Sequence, residues 1–146
     1  MTVSGTLLGF DFGKRRIGVS VGETSTRIAS PLAAIVGESN EARFAAIGRL
    51  VGEWHPAGFV VGRPRHADGA PHPVAALASK FARRLAARYH VPVFFVDETL
   101  TSAEAQASLK ATRTRAAREA DVDVLAATLI LQSYLDEPGR HERLAA

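Results

Sequence analysis

The sequence predicts an α/β fold in which helices cover a mixed β-sheet. Three short apolar stretches come first, and the turns between them are short enough for antiparallel pairing. Two further apolar strands then alternate with helical segments, which is the order expected of a sheet with parallel connections. The predicted order is β-β-β-α-β-α-β-α-α. A chain of 146 residues fits one domain with its own core.

The five predicted strands differ in how they should be buried. The first three, at residues 6–12, 16–22 and 27–34, contain turn residues between them, and the first two form a hairpin. The other two, at residues 58–62 and 92–96, are short and apolar throughout. Such continuous apolar runs are typical of parallel strands covered on both faces.

Four helices are predicted from apolar spacing and capping residues. Asn40 is the expected N-cap of the first, and residues 74–89 form the second. Thr101 and Glu104 have the spacing of a capping box, so a third helix should begin there. The last helix, at residues 122–135, is apolar on nearly every face and should be buried.

The stretch GFDFGKRRIGVSVG, residues 9–22, places a carboxylate inside an apolar strand. Because side chains alternate along a strand, Asp11 shares its face with glycines, and the returning strand also has one nearly bare face. A bare face beside a carboxylate would let a ligand or a metal ion approach closely. The alternative is that the glycines let a helix pack tightly while Asp11 caps a turn.

Two other carboxylate sites occupy comparable places. Asp97 and Glu98 end the strand at residues 92–96, at the sheet edge where ligands gather in open α/β sheets. Asp121 and Asp123 stand at the start of the last predicted helix, where an Asp can equally serve as an N-cap. Three carboxylates without cysteine or a histidine cluster suit Mg²⁺ or Mn²⁺, and two such ions can promote phosphodiester cleavage.

Composition narrows the class of protein. With no cysteine, disulfides and cysteine-based metal or nucleophile chemistry are excluded. The sequence shows neither a signal peptide nor an apolar run long enough for a membrane span, so we expect a cytoplasmic protein with no membrane partner. A formal charge of +3 is compatible with nucleic-acid binding. The domain is predicted to cover residues 1–138, followed by a frayed tail at residues 139–146.

Four blocks of the sequence together resemble the YqgF/RuvX family, whose members are ribonuclease H-like and related to Holliday-junction resolvases. The blocks are LLGFDFGKRRIGVSVG, VVGRPRHADG, VFFVDETLTSAEA and DVDVLAATLILQSYL, and the resemblance covers residues 5–136. It implies a five-stranded mixed sheet in the order 3-2-1-4-5, with strand 2 antiparallel and helices on both faces. It also implies a metal-dependent nuclease that processes the 5′ end of pre-16S ribosomal RNA in ribosome biogenesis.

The resemblance carries over to particular residues. By position, Asp11, Glu98 and Asp123 are the expected catalytic residues and the ligands of Mg²⁺ or Mn²⁺. Asp97 competes with Glu98 for that role, because neighbouring residues on a strand point in opposite directions and only one can face the metal. Arg63 departs from the family pattern by replacing an apolar residue after the glycine of the Gly-x-Pro block.

Basic residues around the acidic site are the expected contacts to phosphate groups. The alternative for the segment before the last helix is a solvated helix face. The predicted nucleic-acid-binding residues are Lys14, Arg15, Arg16, Arg63, Arg113, Arg115 and Arg118. The preferred partner is structured RNA, with branched DNA second, and the chain is expected to be a monomer or a weak homodimer.

Rival functions remain at this point. A non-catalytic RNA- or DNA-binding factor would keep the basic surface, but it would have no need of all three acids. A Holliday-junction resolvase would need two active sites and therefore a dimer. A phosphotransferase related to actin-like ATPases would need two such domains around a nucleotide, and no P-loop is present.

Overall fold

The computed structural model describes residues 3–37, 39–64, 73–98 and 115–144, with the backbone alone at residue 98 and residues 115–120. The predicted helix beginning at Thr101 lies outside these residues. None of the described helices has the length and apolar character needed to cross a membrane. The strands and helices are β1 Thr6–Phe12, β2 Arg16–Glu23, β3 Ile28–Val36, α1 Asn40–Trp54, β4 Gly58–Pro64, α2 Pro73–Tyr89, β5 Val93–Glu98, α3 Arg115–Asp136, a 3₁₀ turn Pro138–Arg140, and β6 Glu142–Arg143.

The six strands form one mixed sheet in the order β3-β2-β1-β4-β5-β6. Strand β2 runs antiparallel to β1 and β3, whereas β1, β4 and β5 are parallel. The predicted order 3-2-1-4-5 and the antiparallel second strand are therefore confirmed. Both parallel pairings place the carboxyl ends of β1, β4 and β5 at one edge of the sheet.

The prediction of five strands was one short, because the end of the chain adds β6. Its two residues pair antiparallel with Phe94 and Phe95 of β5, and the amide of Leu144 donates to the carbonyl of Val93 at 2.8 Å. The structure thus differs from the frayed tail expected after residue 138. A two-residue polar strand has no apolar alternation, so sequence periodicity cannot detect it.

Helices cover both faces of the sheet, as predicted. On one face, α1 and α2 pack through side chains such as Phe44 and Phe81 against Phe10 and Phe59. On the other face, α3 packs against Leu7, Val60, Phe94 and Val96. Because side chains alternate along each strand, successive residues of β1 and β5 belong to different helical layers. This alternation decides on which side of the sheet each acidic side chain lies.

The glycine-rich face of the β1–β2 hairpin is occupied by α3. A Cβ on Gly9 would lie 2.8 Å from the Cβ of Leu131, and a Cβ on Gly18 would overlap the backbone carbonyl oxygen of Asp123. Between them, the Ser20 hydroxyl donates to the carbonyl of Ala127 at 2.7 Å. The expectation that this bare face admits a ligand is therefore wrong at these glycines. They admit a helix, which was the alternative.

Two helix starts differ from the sequence prediction. The N-cap of α1 is Ser39, whose hydroxyl accepts from the amide of Ala42 at 3.3 Å, so Asn40 is the first helical residue. Helix α3 begins at Arg115, before residue 122, because the Ala- and Arg-rich segment at its start has high helix propensity. Asp121 and Asp123 therefore lie inside the helix, and neither is its N-cap.

Candidate active site

Asp11 and Asp123 are brought together by the close approach of α3 to the hairpin. Asp11 lies near the carboxyl end of β1 and pairs across the hairpin with Gly18. The backbone of α3 passes directly over Gly18 at Asp123. The absence of a side chain at position 18 is what allows this approach, so one glycine places two carboxylates at the same sheet edge.

The Asp11 carboxyl group is poorly compensated. Burial, followed by the nearby charge of Asp123, raises its pKa to about 7. No described residue donates a hydrogen bond to this carboxyl group, so within the described chain Asp11 does not cap a turn. A buried carboxylate beside a second carboxylate is a costly arrangement unless a proton or a cation is present.

Asp123 is held by a basic residue of the hairpin. The Nε of Arg16 donates to Oδ2 of Asp123 at 2.6 Å, and 22% of the Asp123 side chain is exposed. Arg16 begins β2, so this ion pair ties α3 to the hairpin at the site. Arg16 was predicted to contact nucleic acid. The structure places its guanidinium against a predicted catalytic carboxylate instead, where it fixes the position of that carboxylate.

Asp97 lies on the opposite face of the sheet. Phe95, two residues before it, packs in the layer of α1 and α2, whereas Phe94 and Val96 pack against α3. The Arg63 guanidinium donates to Asp97 at 2.7 Å. The same group donates to Glu142 of β6 at 2.8 Å and stands 4.5 Å from the centre of the Phe95 ring. Asp97 is thus part of an ion-pair cluster away from Asp11.

Arg63 was predicted to bind nucleic acid, and the structure shows strong internal contacts for it. Hydrogen bonds to Glu142 and Asp97 raise the pKa of its guanidinium, and 14% of its side chain is exposed. Glu142 belongs to the strand that sequence analysis missed. No local sequence pattern links Arg63 to a carboxylate so far along the chain.

Glu98 is described by its backbone only. It is the last residue of β5 and pairs in register with Pro64 of β4, at the same edge as the end of β1. Its position along the strand is two residues beyond Val96, which belongs to the α3 layer. Among the described side chains, no group of three or more carboxylates and histidines could hold a metal ion, and the set of described side chains does not include Glu98.

The remaining basic residues fall into two groups. Lys14 and Arg15 are exposed on the β1–β2 turn, beside the acidic site. Arg113 lies outside the described residues, and for Arg115 and Arg118 the structure describes only their place at the start of α3.

Sequence reasoning missed one buried cation, Arg43 of α1, whose side chain is only 4% exposed as a residue. Its guanidinium donates to the carbonyl oxygens of Gly13 and, at 3.2 Å, Lys14. It also stands 4.9 Å from the centre of the Phe12 ring. Arg43 therefore holds the turn that carries Lys14. The available signal was an arginine on the apolar face of a helix, next to Phe44.

The chain matches a known family over nearly its whole length. Residues 5–137 match a family model described as "RuvX: Holliday junction resolvase". A protein of Dechloromonas aromatica (strain RCB), named "Putative pre-16S rRNA nuclease", is 53% identical over 135 residues, which is 92% of each chain. A protein of the same name from Paraburkholderia phytofirmans is 48% identical over 131 residues, covering 90% of this chain and 88% of that protein.

The fold also matches a solved structure. A structure of Thermus thermophilus RuvC in complex with a Holliday junction substrate aligns with a TM-score of 0.55 and 17% sequence identity. The alignment covers 96% of this chain and 99% of that chain. At this identity the similarity concerns the fold alone, and it agrees with the predicted ribonuclease H-like arrangement.

Proposed function

The chain belongs to the RuvX family, and we propose that it is a divalent-metal-dependent nuclease that hydrolyses phosphodiester bonds. The proposed substrate is the 5′ region of pre-16S ribosomal RNA, which the names of its relatives suggest. The observation that carries the proposal is the pair formed by Asp11 and Asp123. One of these carboxyl groups has a pKa raised to about 7 and has no described hydrogen-bond donor.

The donor chemistry of this pair suits a hard cation such as Mg²⁺ or Mn²⁺, since carboxylate oxygens are the ligands that these ions prefer. A cation would offset the repulsion between Asp11 and Asp123 that otherwise opposes ionisation of Asp11. When bound, the metal would supply an activated water and stabilise charge on the leaving oxygen. Asp11 and Asp123 would hold it, while Arg16 would keep Asp123 in position through the 2.6 Å ion pair.

Glu98 is the proposed third ligand, in preference to Asp97. The contacts of Asp97 with Arg63 support this choice, because they engage its carboxylate in the layer of α1 and α2. Strand alternation gives position 98 the same face as Val96, which is the face of Asp11. Glu98 also ends β5 at the same sheet edge.

Phosphate binding is the proposed role of the basic rim. Lys14 and Arg15 are exposed beside the site, where they could hold phosphates without reading bases. Arg113, Arg115 and Arg118 are proposed to add to this rim from the start of α3. Structured RNA in the cytoplasm is the proposed partner, bound by a monomer or a weak homodimer.

Branched DNA is the second candidate substrate. The family description names a Holliday junction resolvase, and the RuvC neighbour was solved with a Holliday junction. Resolution of a junction requires two active sites, and therefore a dimer, whereas trimming of an RNA end requires one. The two candidates can be separated by substrate and by oligomeric state.

The test is a cleavage assay on two labelled substrates: a pre-16S ribosomal RNA fragment that carries its 5′ extension, and a four-way DNA junction. The full chain should cleave the RNA with Mg²⁺ or Mn²⁺ and be inactive in EDTA. Asp11→Asn should slow cleavage at least about a hundredfold, because it removes a metal ligand. The matched control is Asp136→Asn, at the exposed end of α3, which should leave the rate unchanged.

Two outcomes would contradict the proposal. Cleavage that persists in EDTA would exclude the metal requirement, and full activity of Asp11→Asn would exclude the proposed site. Tight binding of RNA by the wild-type chain without any cleavage would instead favour a non-catalytic binding factor. Cleavage of the junction alone, by a dimer, would favour the resolvase.

A further inference from the structure

A second basic site lies on the face of the sheet that is covered by α1 and α2. An open cleft of about 460 Å³ lies between the end of β1, the first turns of α1 and the middle of α2. Its charged lining consists of Lys14, Arg43, Lys80 and Arg84, with Phe12 and Phe81 among its apolar lining residues. No acidic residue lines it in the described part of the chain. Four cations therefore converge without a carboxylate between them.

The four cations have no described counter-charge. Within the described residues, none of them has a carboxylate at ion-pair distance. Arg43 is the clearest case, because it is buried and its guanidinium is satisfied by the Gly13 and Lys14 carbonyl oxygens and by the Phe12 ring. Burial lowers the pKa of Arg43, as expected of a cation removed from water without an anion beside it.

The Arg63 cluster shows how this chain balances a basic side chain where no ligand is expected. Arg63 is also packed on a phenylalanine ring, but two carboxylates, those of Asp97 and Glu142, accept its hydrogen bonds. The cleft repeats the stacking without the carboxylates. An anionic ligand would complete the cleft in the way that Asp97 and Glu142 complete the Arg63 cluster.

The cleft begins where the proposed active site ends. Asp11 and Phe12 are neighbours at the end of β1, and their side chains lie on opposite faces of the sheet. Lys14 follows in the turn and lines the cleft, and Arg43 holds that turn in place. Lys80 and Arg84, one helical turn apart on α2, extend the positive charge away from the sheet edge.

We propose that this cleft binds successive backbone phosphates of the nucleic acid, carrying the strand from the acidic edge over the β1–β2 turn onto α2. This inference rests on the proposed function, since it assumes a nucleic-acid substrate. The cleft is open, and its charges are spread over a turn and two helices, which fits an extended polyanion better than one small phosphate compound. Recognition would be independent of sequence, because the four cations contact phosphates and not base edges.

The test compares two double variants that remove equal charge. Lys80→Ala/Arg84→Ala removes two cations from the cleft, and Arg49→Ala/Arg83→Ala removes two exposed arginines of α1 and α2 that do not line it. Binding of a labelled single-stranded RNA is measured by fluorescence anisotropy in EDTA, over a range of salt concentrations. EDTA removes any contribution of metal-dependent cleavage to the signal.

The cleft variant should lower the slope of log K against log salt by about 1.4 to 1.8, from about 0.7 to 0.9 for each lost phosphate contact. The control variant should change the slope by less than half as much. Equal changes in both variants would overturn the proposal, because they would report general charge and no local contact. If inorganic phosphate or a mononucleotide binds and only its binding is lost in the cleft variant, the cleft is a small-anion site and the proposal fails.

Two further measurements keep the result interpretable. Thermal melts should show both variants folded, and Lys80→Glu, a single change at an exposed position, repeats the test if the double variant is unstable. Cleavage is assayed in the same preparations. A cleft-dependent slope without any cleavage would reject the proposed nuclease function and keep the cleft, whereas cleavage with an unchanged slope would reject the cleft alone.

Discussion

Asp11 and Asp97 stand at the same edge of the sheet, on opposite faces, and their surroundings differ completely. Asp97 accepts hydrogen bonds from Arg63, which also binds Glu142. Asp11 has no described donor and lies close enough to Asp123 for that charge to raise its pKa. The comparison teaches that the face of the sheet, more than the residue type or the strand end, decides whether a carboxylate here is structural or reactive.

The two regions should also differ in what they contribute to stability. Asp97 is 39% exposed, so its ion pair with Arg63 should contribute at most about 1 kcal/mol. The ionised Asp11 should lower stability, because burial and Asp123 disfavour its charge. The chain therefore retains an unfavourable group on the α3 face, which is expected of a site whose stability depends on a ligand.

The largest expected effect comes from closing the space that lets α3 approach Asp11. In Gly18→Ala, the added methyl group would overlap the backbone carbonyl of Asp123, so α3 must shift. We expect a loss of about 4 kcal/mol or more in the free energy of unfolding, measured by urea denaturation. The matched control is Gly52→Ala in α1, where a Cβ meets nothing within 4 Å. That change should stabilise the chain by about 0.5 to 1 kcal/mol.

A small loss in Gly18→Ala, within about 1 kcal/mol, would contradict the close seating of α3 on the hairpin. It would also remove the argument that position 18 determines where Asp123 lies. A loss in Gly52→Ala comparable to that in Gly18→Ala would show that the effect is not specific to the α3 contact.

A smaller effect is expected from the pH dependence of Asp11→Asn in EDTA. The unfolded chain releases the Asp11 proton near pH 4, whereas the folded chain holds it until about pH 7. The contribution of Asp11 is therefore fully favourable below pH 4 and is lost as the pH rises through 7. Relative to wild type, Asp11→Asn should gain about 2 kcal/mol between pH 4 and pH 8, with an upper bound of about 4 kcal/mol.

Asp97→Asn is the control that sharpens the comparison. It weakens the contacts with Arg63, so it should lose up to about 1 kcal/mol at neutral pH, the opposite sign from Asp11→Asn. Added Mg²⁺ or Mn²⁺ should stabilise wild type and Asp97→Asn, and should stabilise Asp11→Asn much less. Equal stabilities of Asp11→Asn and wild type across this pH range would contradict the raised pKa.

The sequence predicted the sheet and both helical layers because alternation and helical spacing are strong over long segments. It could not predict β6, whose two polar residues carry no such pattern. It also left open whether the glycine face receives a ligand or a helix, because small residues permit either. The ion pair of Arg63 with Glu142 joins residues 79 apart in the chain, and only the tertiary fold brings them together.

The acidic site was predicted only in part for a related reason. Asp11 and Asp123 were singled out from sequence and family resemblance, but Asp123 was placed at a helix start that lies further upstream. The contact of Arg16 with Asp123 and the burial of Arg43 depend on how α3 and α1 are seated. The assignment of Glu98 over Asp97 remains a prediction, supported by the contacts of Asp97.

The most direct measurement compares the metal-dependent cleavage rates of Glu98→Gln and Asp97→Asn on the pre-16S ribosomal RNA fragment. The two residues are neighbours at the end of β5, and each change removes a charge with little change in shape. If the α3 face is the reactive one, Glu98→Gln should abolish cleavage, while Asp97→Asn should retain a substantial part of it. Loss of cleavage in Asp97→Asn with activity preserved in Glu98→Gln would contradict the account.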